Sequence, residues 1–395
     1  MKRSASPSAD ELAAIRLSAQ LEHLERKRAC RYFGIFMLAF LFLFLCTFGI
    51  LFWTLPKKSF SENENRTLSS FDSLSVSAFR NGELAPKLAA VFSDQFPFRN
   101  SFVGAESYIS LLFTGNANGV TVNKSGSLAK RNVPDVRALD QTRSSLDAVK
   151  ELESEFSRTG KESTFVAIPL PCCAYQNRKI DESEKYASLF SYLDNADCFD
   201  FAKSVRDTDG IFYKTDHHLN AYGTYLLYLY LCKDFGIEAK NDFYEVCVSE
   251  EFYGTAWSQS GLWETKPDKL CIYRYDGDNA YTVTGDTENQ GFYFPEYLEK
   301  KDKYAYFLGG NYGRLEICSA GGEERPRLLI IKDSYANSLV PFLARHFDIT
   351  LIDPRYYNGN VLSEAQNADR CLFLFGLSSL MTDVGLVKLS FNTSE

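Results

Sequence analysis

From Tyr32 to Leu55 the chain runs for 24 residues without a charge, and its middle reads Phe33-Gly-Ile-Phe-Met-Leu-Ala-Phe-Leu-Phe-Leu-Phe-Leu. About 20 apolar residues cross the hydrocarbon core of a bilayer, so this run predicts a transmembrane helix. The rival reading is a cleaved signal peptide. Signal-peptide apolar regions are about 7–15 residues long, and no small-x-small site follows this one. Trp53 stands at the far end, where an interfacial aromatic belongs. Arg26, Lys27, Arg28 and Arg31 precede the run and outnumber Lys57 and Lys58 after it. The positive-inside rule then places the N-terminus in the cytoplasm and the bulk of the chain outside. The expected organisation is a cytoplasmic tail (1–31), a transmembrane helix (32–55), a stalk (56–78) and an extracytoplasmic domain (79–395).

The charge is divided to match. Residues 1–31 hold seven basic and four acidic residues, a balance of +3, so the net charge of −8 leaves −11 for the remainder. An acidic exported domain argues against nucleic acid as a partner. Hydrophobic residues make up 45% of the chain, enough for a sizeable core, which excludes a disordered chain. Of ten cysteines, Cys30 and Cys46 lie in or before the span. The other eight, Cys172 and Cys173 among them, form no CxxC pair, so no structural zinc site is expected. One or two disulfides are compatible with the sequence, which does not pair them.

Beyond the stalk, residues 79–113 read as mainly helical, interrupted at Asp94-Gln-Phe-Pro-Phe-Arg99, where Pro97 must kink or restart a helix. Residues 140–158 follow a helical period, with Leu139, Leu146, Val149, Leu152 and Phe156 on one face. The period then changes. Short, near-continuous apolar runs at 163–168, 327–332, 349–353 and 370–375 predict strands buried on both faces. Ser334–Phe347 is long enough for one connecting helix, so the runs on either side form a βαβ unit in a parallel sheet. Another helix is expected over 217–235. Residues 245–310, richer in Tyr, Gly and Asp, read as an insertion of short antiparallel strands. The fold class is α/β.

In an open α/β sheet the reactive groups sit just past the carboxyl ends of the strands. Lys332-Asp-Ser-Tyr-Ala-Asn337 follows such a strand directly and puts Ser334 on a strand-to-helix turn. There its hydroxyl can act as a nucleophile near helix-terminal N–H groups; equally, Asp333 or Ser334 can simply cap the helix. The second constellation is Thr215-Asp-His-His-Leu-Asn220, which holds two of the four histidines. Asp216 and His218, two apart on an extended segment, face one side. They suit a base held by an orienting carboxylate, while His217 is expected to face away. Asp216, His217 and His218 are also the residues a metal-dependent hydrolase would use, but no further ligand cluster stands at a recognised spacing, and no metal or cofactor is expected. In Phe307-Leu-Gly-Gly-Asn-Tyr-Gly313, Gly310 allows close backbone approach and Asn311 supplies an amide donor. Both are candidates for an oxyanion hole, or members of a plain turn.

Taken together, Thr215-Asp-His-His, Lys332-Asp-Ser-Tyr-Ala-Asn-Ser338, Glu64-Asn-Arg66 and Asp94–Arg99 resemble the DHHW protein family. That family is found in Gram-positive bacteria and is related to the alginate O-acetylation proteins of the SGNH-hydrolase-like group. Phe252-Tyr-Gly-Thr255, Phe307–Gly313, Pro341-Phe-Leu343 and Asp353-Pro-Arg-Tyr-Tyr357 extend the likeness over roughly residues 60–380. The resemblance implies an SGNH-hydrolase-like parallel sheet flanked by helices, with Asp216, His218 and Ser334 aligned on a catalytic triad. Two positions depart from the pattern. Leu219 stands where the family's name has Trp, removing any ring contact a Trp would make with a sugar. The serine block reads Lys-Asp-Ser, where many related hydrolases have a Gly.

The expectation is therefore a membrane-anchored extracytoplasmic O-acyltransferase or esterase acting on a cell-surface polysaccharide. The resemblance also implies a multi-spanning membrane acyltransferase as partner, because a single span cannot carry acyl groups across the bilayer. The alternative is a non-catalytic carbohydrate-binding or polysaccharide-assembly protein on the same fold.

Overall fold

The computed structural model describes residues 9–123, 125–130, 135–171, 198, 200–205, 208–322 and 324–391. Cys172 and Cys173 lie outside the described residues. The chain divides into two compact units, Met1–Ser61 with Thr67–Arg99 and Glu62–Arg66 with Asn100–Glu395.

The first unit is built on one helix, Ala9–Thr54, which carries the uncharged run. At 1.5 Å per residue that run is about 36 Å long, enough to cross a bilayer core of about 30 Å. Its most apolar window has a mean hydropathy of 2.8 and is only 6% buried. Phe52 packs on Phe92 at 5.1 Å between ring centroids, and Trp53 stacks on Phe71 at 5.8 Å. The segment read as a stalk is tied down. Gln95 Nε2 donates to the carbonyls of Lys58 and Ser69, Lys58 N–H donates to Gln95 Oε1, and Ser69 N–H donates to Asp94 Oδ2. Asp94 and Gln95 close the helix Leu84–Asp94, so the Asp94–Arg99 motif does structural work in this unit.

The second unit centres on a seven-stranded mixed sheet. Its order is Glu162–Ile168, Arg370–Gly376, Arg327–Lys332, Asp348–Ile352, Arg314–Ser319, Tyr281–Gly285 and Asn289–Gln290. The first four are parallel and are the four strands expected from the apolar runs. The last three are antiparallel and make the sheet mixed, where a parallel one was expected. They come from the 245–310 region and its C-terminal flank. A short loop joins Tyr281–Gly285 to Asn289–Gln290, as antiparallel neighbours allow, while Arg314–Ser319 returns after a longer excursion to pair between Tyr281–Gly285 and Asp348–Ile352.

Side chains alternate between two cores. Leu328, Ile330, Leu372 and Leu374 face the helix Ala221–Phe235. Leu329, Ile331, Cys371 and Phe373 face the helix Val136–Arg158. Both helices begin on side-chain caps, Asp135 accepting from Ala138 N–H and Asn220 from Gly223 N–H. The connection expected as one helix over 334–347 is instead a single 3₁₀ turn, Ser334–Ala336, and a short helix, Val340–Leu343. Pro341 lacks the N–H that a continuous helix would direct back to Asn337.

The strand Arg327–Lys332 pairs with later strands on both sides. The chain leaves it towards Asp348–Ile352, then crosses back to Arg370–Gly376. Its carboxyl end is therefore the point where the winding reverses, and the two outgoing connections part to leave a crevice. Lys332, Asp333 and Ser334 stand there.

Candidate active site

Ser334 follows a residue that takes the capping role for it. Asp333 Oδ1 accepts the Tyr335 N–H at 3.0 Å, while Oδ2 accepts the Gly376 N–H and the Ser379 hydroxyl, both at 2.7 Å. The Ser334 hydroxyl is left to meet His218, whose Nε2 lies 2.7 Å from Ser334 Oγ. His218 Nδ1 in turn lies 2.5 Å from Asp216 Oδ1. These three side chains, with Ser334 116 residues beyond His218, form one hydrogen-bonded line.

Asp216 is 2% exposed. Burial alone would raise its carboxyl, but the His217 and His218 rings, the His218 hydrogen bond and the Thr255 N–H outweigh that and hold it well below the ordinary value. An ionised Asp216 keeps the His218 proton on Nδ1 and leaves Nε2 to accept from Ser334. The His218 ring is further clamped by Tyr304, stacked at 3.8 Å between centroids. Tyr304 is anchored through its hydroxyl to Ser338 Oγ at 3.1 Å.

Two segments hold Asp216 from outside. Asp268 accepts from the N–H groups of Lys214 and Thr215 at 2.9 and 2.7 Å and from the Thr215 hydroxyl at 2.6 Å. Thr255 N–H donates to Asp216 Oδ2 at 2.7 Å. The Phe252–Thr255 motif thus acquires a physical role, which its sequence showed only as a likeness.

His217 does not face away. Residues 214–218 form successive bends instead of an extended segment, so the alternation expected of adjacent residues fails. The His217 ring lies 4.0 Å from that of His218, with Nδ1 2.8 Å from the Thr255 hydroxyl. Burial, with the neighbouring His218, pushes His217 down to about 3, so its ring is neutral in ordinary buffers. Asp216, His217 and His218 are close enough to share a cation. Three of the four ring nitrogens, however, already face Asp216, Ser334 and Thr255.

Leu219 is 2% exposed and packs in the core with Phe212 and Leu227. The position where the family name has Trp is therefore an interior one in this chain. Leu219 serves packing here and does not line the cavity of the site.

The line opens into a cavity of about 240 Å³ bounded by Asn65, His217, Lys301, Gly310, Asn311, Asn337 and Arg355, among others. Gly310 and Asn311 reach it through three successive residues of positive φ, Leu308 at 60°, Gly309 at 75° and Gly310 at 115°. A buried leucine in that conformation is strained, and the strain delivers the next residues to the site. The Gly310 N–H donates back to the Phe307 carbonyl at 3.3 Å, and its own carbonyl accepts from Asn337 Nδ2 at 3.1 Å. Asn311 Oδ1 accepts from Lys332 and Asn337, both at 3.3 Å, which leaves its amide nitrogen for the cavity. Sequence reasoning missed Gly254, Thr255, Asp268, Tyr304 and Lys332. Gly254 and Thr255 stood only within a motif of likeness, and Lys332 left a physical signal, as the one charge closing an otherwise apolar buried run.

Residues 175–352 match the DHHW protein family. That stretch of the DHHW region contains all three residues of the hydrogen-bonded line. A DHHW family protein from Eubacterium siraeum superposes with a TM-score of 0.54 at 18% identity, over 69% of this chain and 95% of that one. Bacillus cereus PatB1 superposes with a TM-score of 0.55 at 22% identity, over 67% of this chain and 98% of that one. PatB1 with a sulfonyl adduct gives 0.52 at 22% identity, over 68% and 97%. These likenesses establish a shared fold. No curated protein matches the sequence.

Proposed function

We propose that the chain is a membrane-anchored, extracytoplasmic serine O-acyltransferase or esterase acting on a cell-surface polysaccharide, on an SGNH-hydrolase-like fold. The observation that carries the reading is the Asp216–His218–Ser334 line, with 2.5 and 2.7 Å contacts, opening into a cavity. Ser334 Oγ attacks the acyl carbonyl carbon while its proton passes to His218 Nε2. The bond to the leaving oxygen breaks as His218 returns that proton to it. A sugar hydroxyl or water then attacks the acyl-serine, His218 taking its proton and passing it to Ser334 Oγ as the acyl group departs. Asp216 stays ionised and holds the imidazolium. The developing oxyanion is met by the Asn311 amide and the Ser334 N–H, with Gly310 as the wall that brings Asn311 up.

The polysaccharide acceptor and a multi-spanning acyltransferase that supplies acyl groups rest on the family resemblance. The domain reading (tail 1–31, span 32–55, stalk 56–78, exported domain 79–395) rests on the apolar run and its flanking charges. A C-terminal reporter active only outside the cytoplasm supports that orientation, and one active only inside overturns it.

The test of the chemistry uses the full chain in detergent. A sulfonyl or fluorophosphonate reagent should add mass to the peptide carrying Ser334 and block hydrolysis of p-nitrophenyl acetate. Ser334→Ala should abolish both and keep the wild-type unfolding midpoint. Labelling or turnover that survives in Ser334→Ala would sink the reading.

A further inference from the structure

Below the nucleophile lies a charged group that the acyl-transfer steps do not use. Lys332 is 1% exposed, closes a buried central strand and has its ammonium in contact with three side chains. Nζ donates to Asn337 Oδ1 at 2.7 Å and to Asn311 Oδ1 at 3.3 Å, and stands 3.9 Å from Asp353. Asp353, itself fully buried, also pairs with Arg355 through two contacts of 2.8 and 2.5 Å.

We propose that Lys332 is a positioning residue of the Ser334 site, acting through Asn311: its ammonium fixes which face of the Asn311 amide meets the reacting acyl oxygen. The inference rests on the acyl-serine reading above. An ammonium can only donate, so any amide atom it touches must be oxygen. Asn337 adds a second donor to the same Asn311 oxygen. With Oδ1 held on the strand side by two donors, Nδ2 is turned to the cavity, where an N–H can stabilise negative charge. Without the ammonium, Asn311 keeps only the Asn337 donor, which Lys332 itself orients through Asn337 Oδ1, so the exposed amide can turn its oxygen towards the oxyanion, which repels it. The isolated cost of burying Lys332 is thereby linked to the chemistry above it.

The charge on Lys332 also has an edge. Burial, opposed by Asp353, brings it down to about 8, with Arg355 lowering it further and Asp333 raising it. Asp353, Arg355 and Asp333 are the charged groups that act on it. Above that value a neutral amine carries a lone pair and can accept from an amide N–H, so the compulsion on Asn311 is lost.

The experiment is a double-mutant cycle on the full chain in detergent, reading kcat and KM for p-nitrophenyl acetate. Lys332→Met should lower kcat roughly 10²-fold, the order expected for losing one oxyanion donor, with KM changed by less than about threefold. Asn311→Ala should give a similar loss. The double variant should lie within about twofold of Asn311→Ala alone, because Lys332 acts through that side chain. Losses that multiply, or a Lys332→Met enzyme within about twofold of wild type, overturn the proposal. If Lys332→Met does not fold, the pH profile decides. Wild type should lose kcat above pH about 8, and Asn311→Ala should lack that limb. The same limb in both, or none in wild type, refutes it. A wild-type enzyme without Ser334-dependent turnover would instead remove the acyl-serine reading, and this inference with it.

Discussion

A Cβ placed on Gly254 would sit 2.2 Å from the Asp216 Cβ and 2.4 Å from Asp216 Oδ2. Gly254 has an ordinary backbone (φ −88°), so it is glycine for reasons of space, not of conformation. Its absent side chain lets the backbone pass against the carboxylate and brings the Thr255 N–H to 2.7 Å from Oδ2. Gly254→Ala should therefore push Asp216 aside. The expected loss is about 1–3 kcal/mol of stability from overpacking and roughly 10²-fold in ester turnover from the misplaced orienter. Chemical denaturation and steady-state kinetics on the same preparation check both.

Asp216 accepts three N–H groups on two oxygens, from Thr255, the His218 backbone and His218 Nδ1. Asp216→Asn keeps the shape but replaces one acceptor by a donor. Either a backbone N–H then faces an amide N–H, or the His218 proton moves to Nε2, where it meets Ser334 and cannot accept its proton. Turnover should fall roughly 10³–10⁴-fold, the order such a change costs in Ser-His-Asp triads. An NMR measurement of the His218 ring nitrogens should show the proton leaving Nδ1.

How much of this was legible in the sequence depends on the kind of signal. Leu328 to Ile331 announced a parallel strand because burial on both faces leaves no polar alternation to disguise it. The antiparallel strand Arg314–Ser319 alternates and is short, with Leu315 and Ile317 buried between Arg314, Glu316 and Cys318, so it did not stand out from its loop. Ser334 was readable from its position past a strand, and His218 from its residue type and its spacing from Asp216. Gly254, Thr255 and Asp268 were not, because a glycine's neighbour or a carboxylate's backbone partner is decided by chain crossings that no local pattern records. His217 was misplaced for a related reason. Asp216 and His218 face one side, but through bends pinned by Asp268, not through the pleat of a strand.

The neutral His217 gives the protein a pH dependence with a definite sign. Its folded value, about 3, lies below the ordinary 6.5, so between those limits the unfolded chain binds the extra proton. Stability should then rise with pH from about 3 to 6.5 and be free of this penalty above, with a slope of at most about 1.4 kcal/mol per pH unit from this group. Asp216, held low, adds stability that is present above its unfolded value and is lost only in stronger acid. His217→Gln keeps a partner for Thr255 without titrating. Urea midpoints measured from pH 7 to pH 4 should fall less steeply for His217→Gln than for wild type, and parallel curves would contradict the assignment.

The hairpin that holds Asp216 is itself covalently pinned. Cys247 and Cys271 lie directly opposite in the antiparallel pair Tyr244–Phe252 and Asp268–Arg274 and are joined by a disulfide across 24 residues. The first strand runs out into Gly254 and Thr255, and the second begins at Asp268, paired with Phe252. Both grips on the Asp216 segment therefore come from one end of this hairpin. Closing a loop of that length removes denatured-state freedom worth about 3 kcal/mol. The double variant Cys247→Ser/Cys271→Ser should lose about 2–4 kcal/mol of stability, and reductant should lower the unfolding midpoint of wild type but not of the variant. Turnover at a temperature where the variant is fully folded should change little, because Asp268 and Thr255 still make their hydrogen bonds once the strands pair. A variant as stable as wild type would show that the strand pairing, not the disulfide, secures the hairpin.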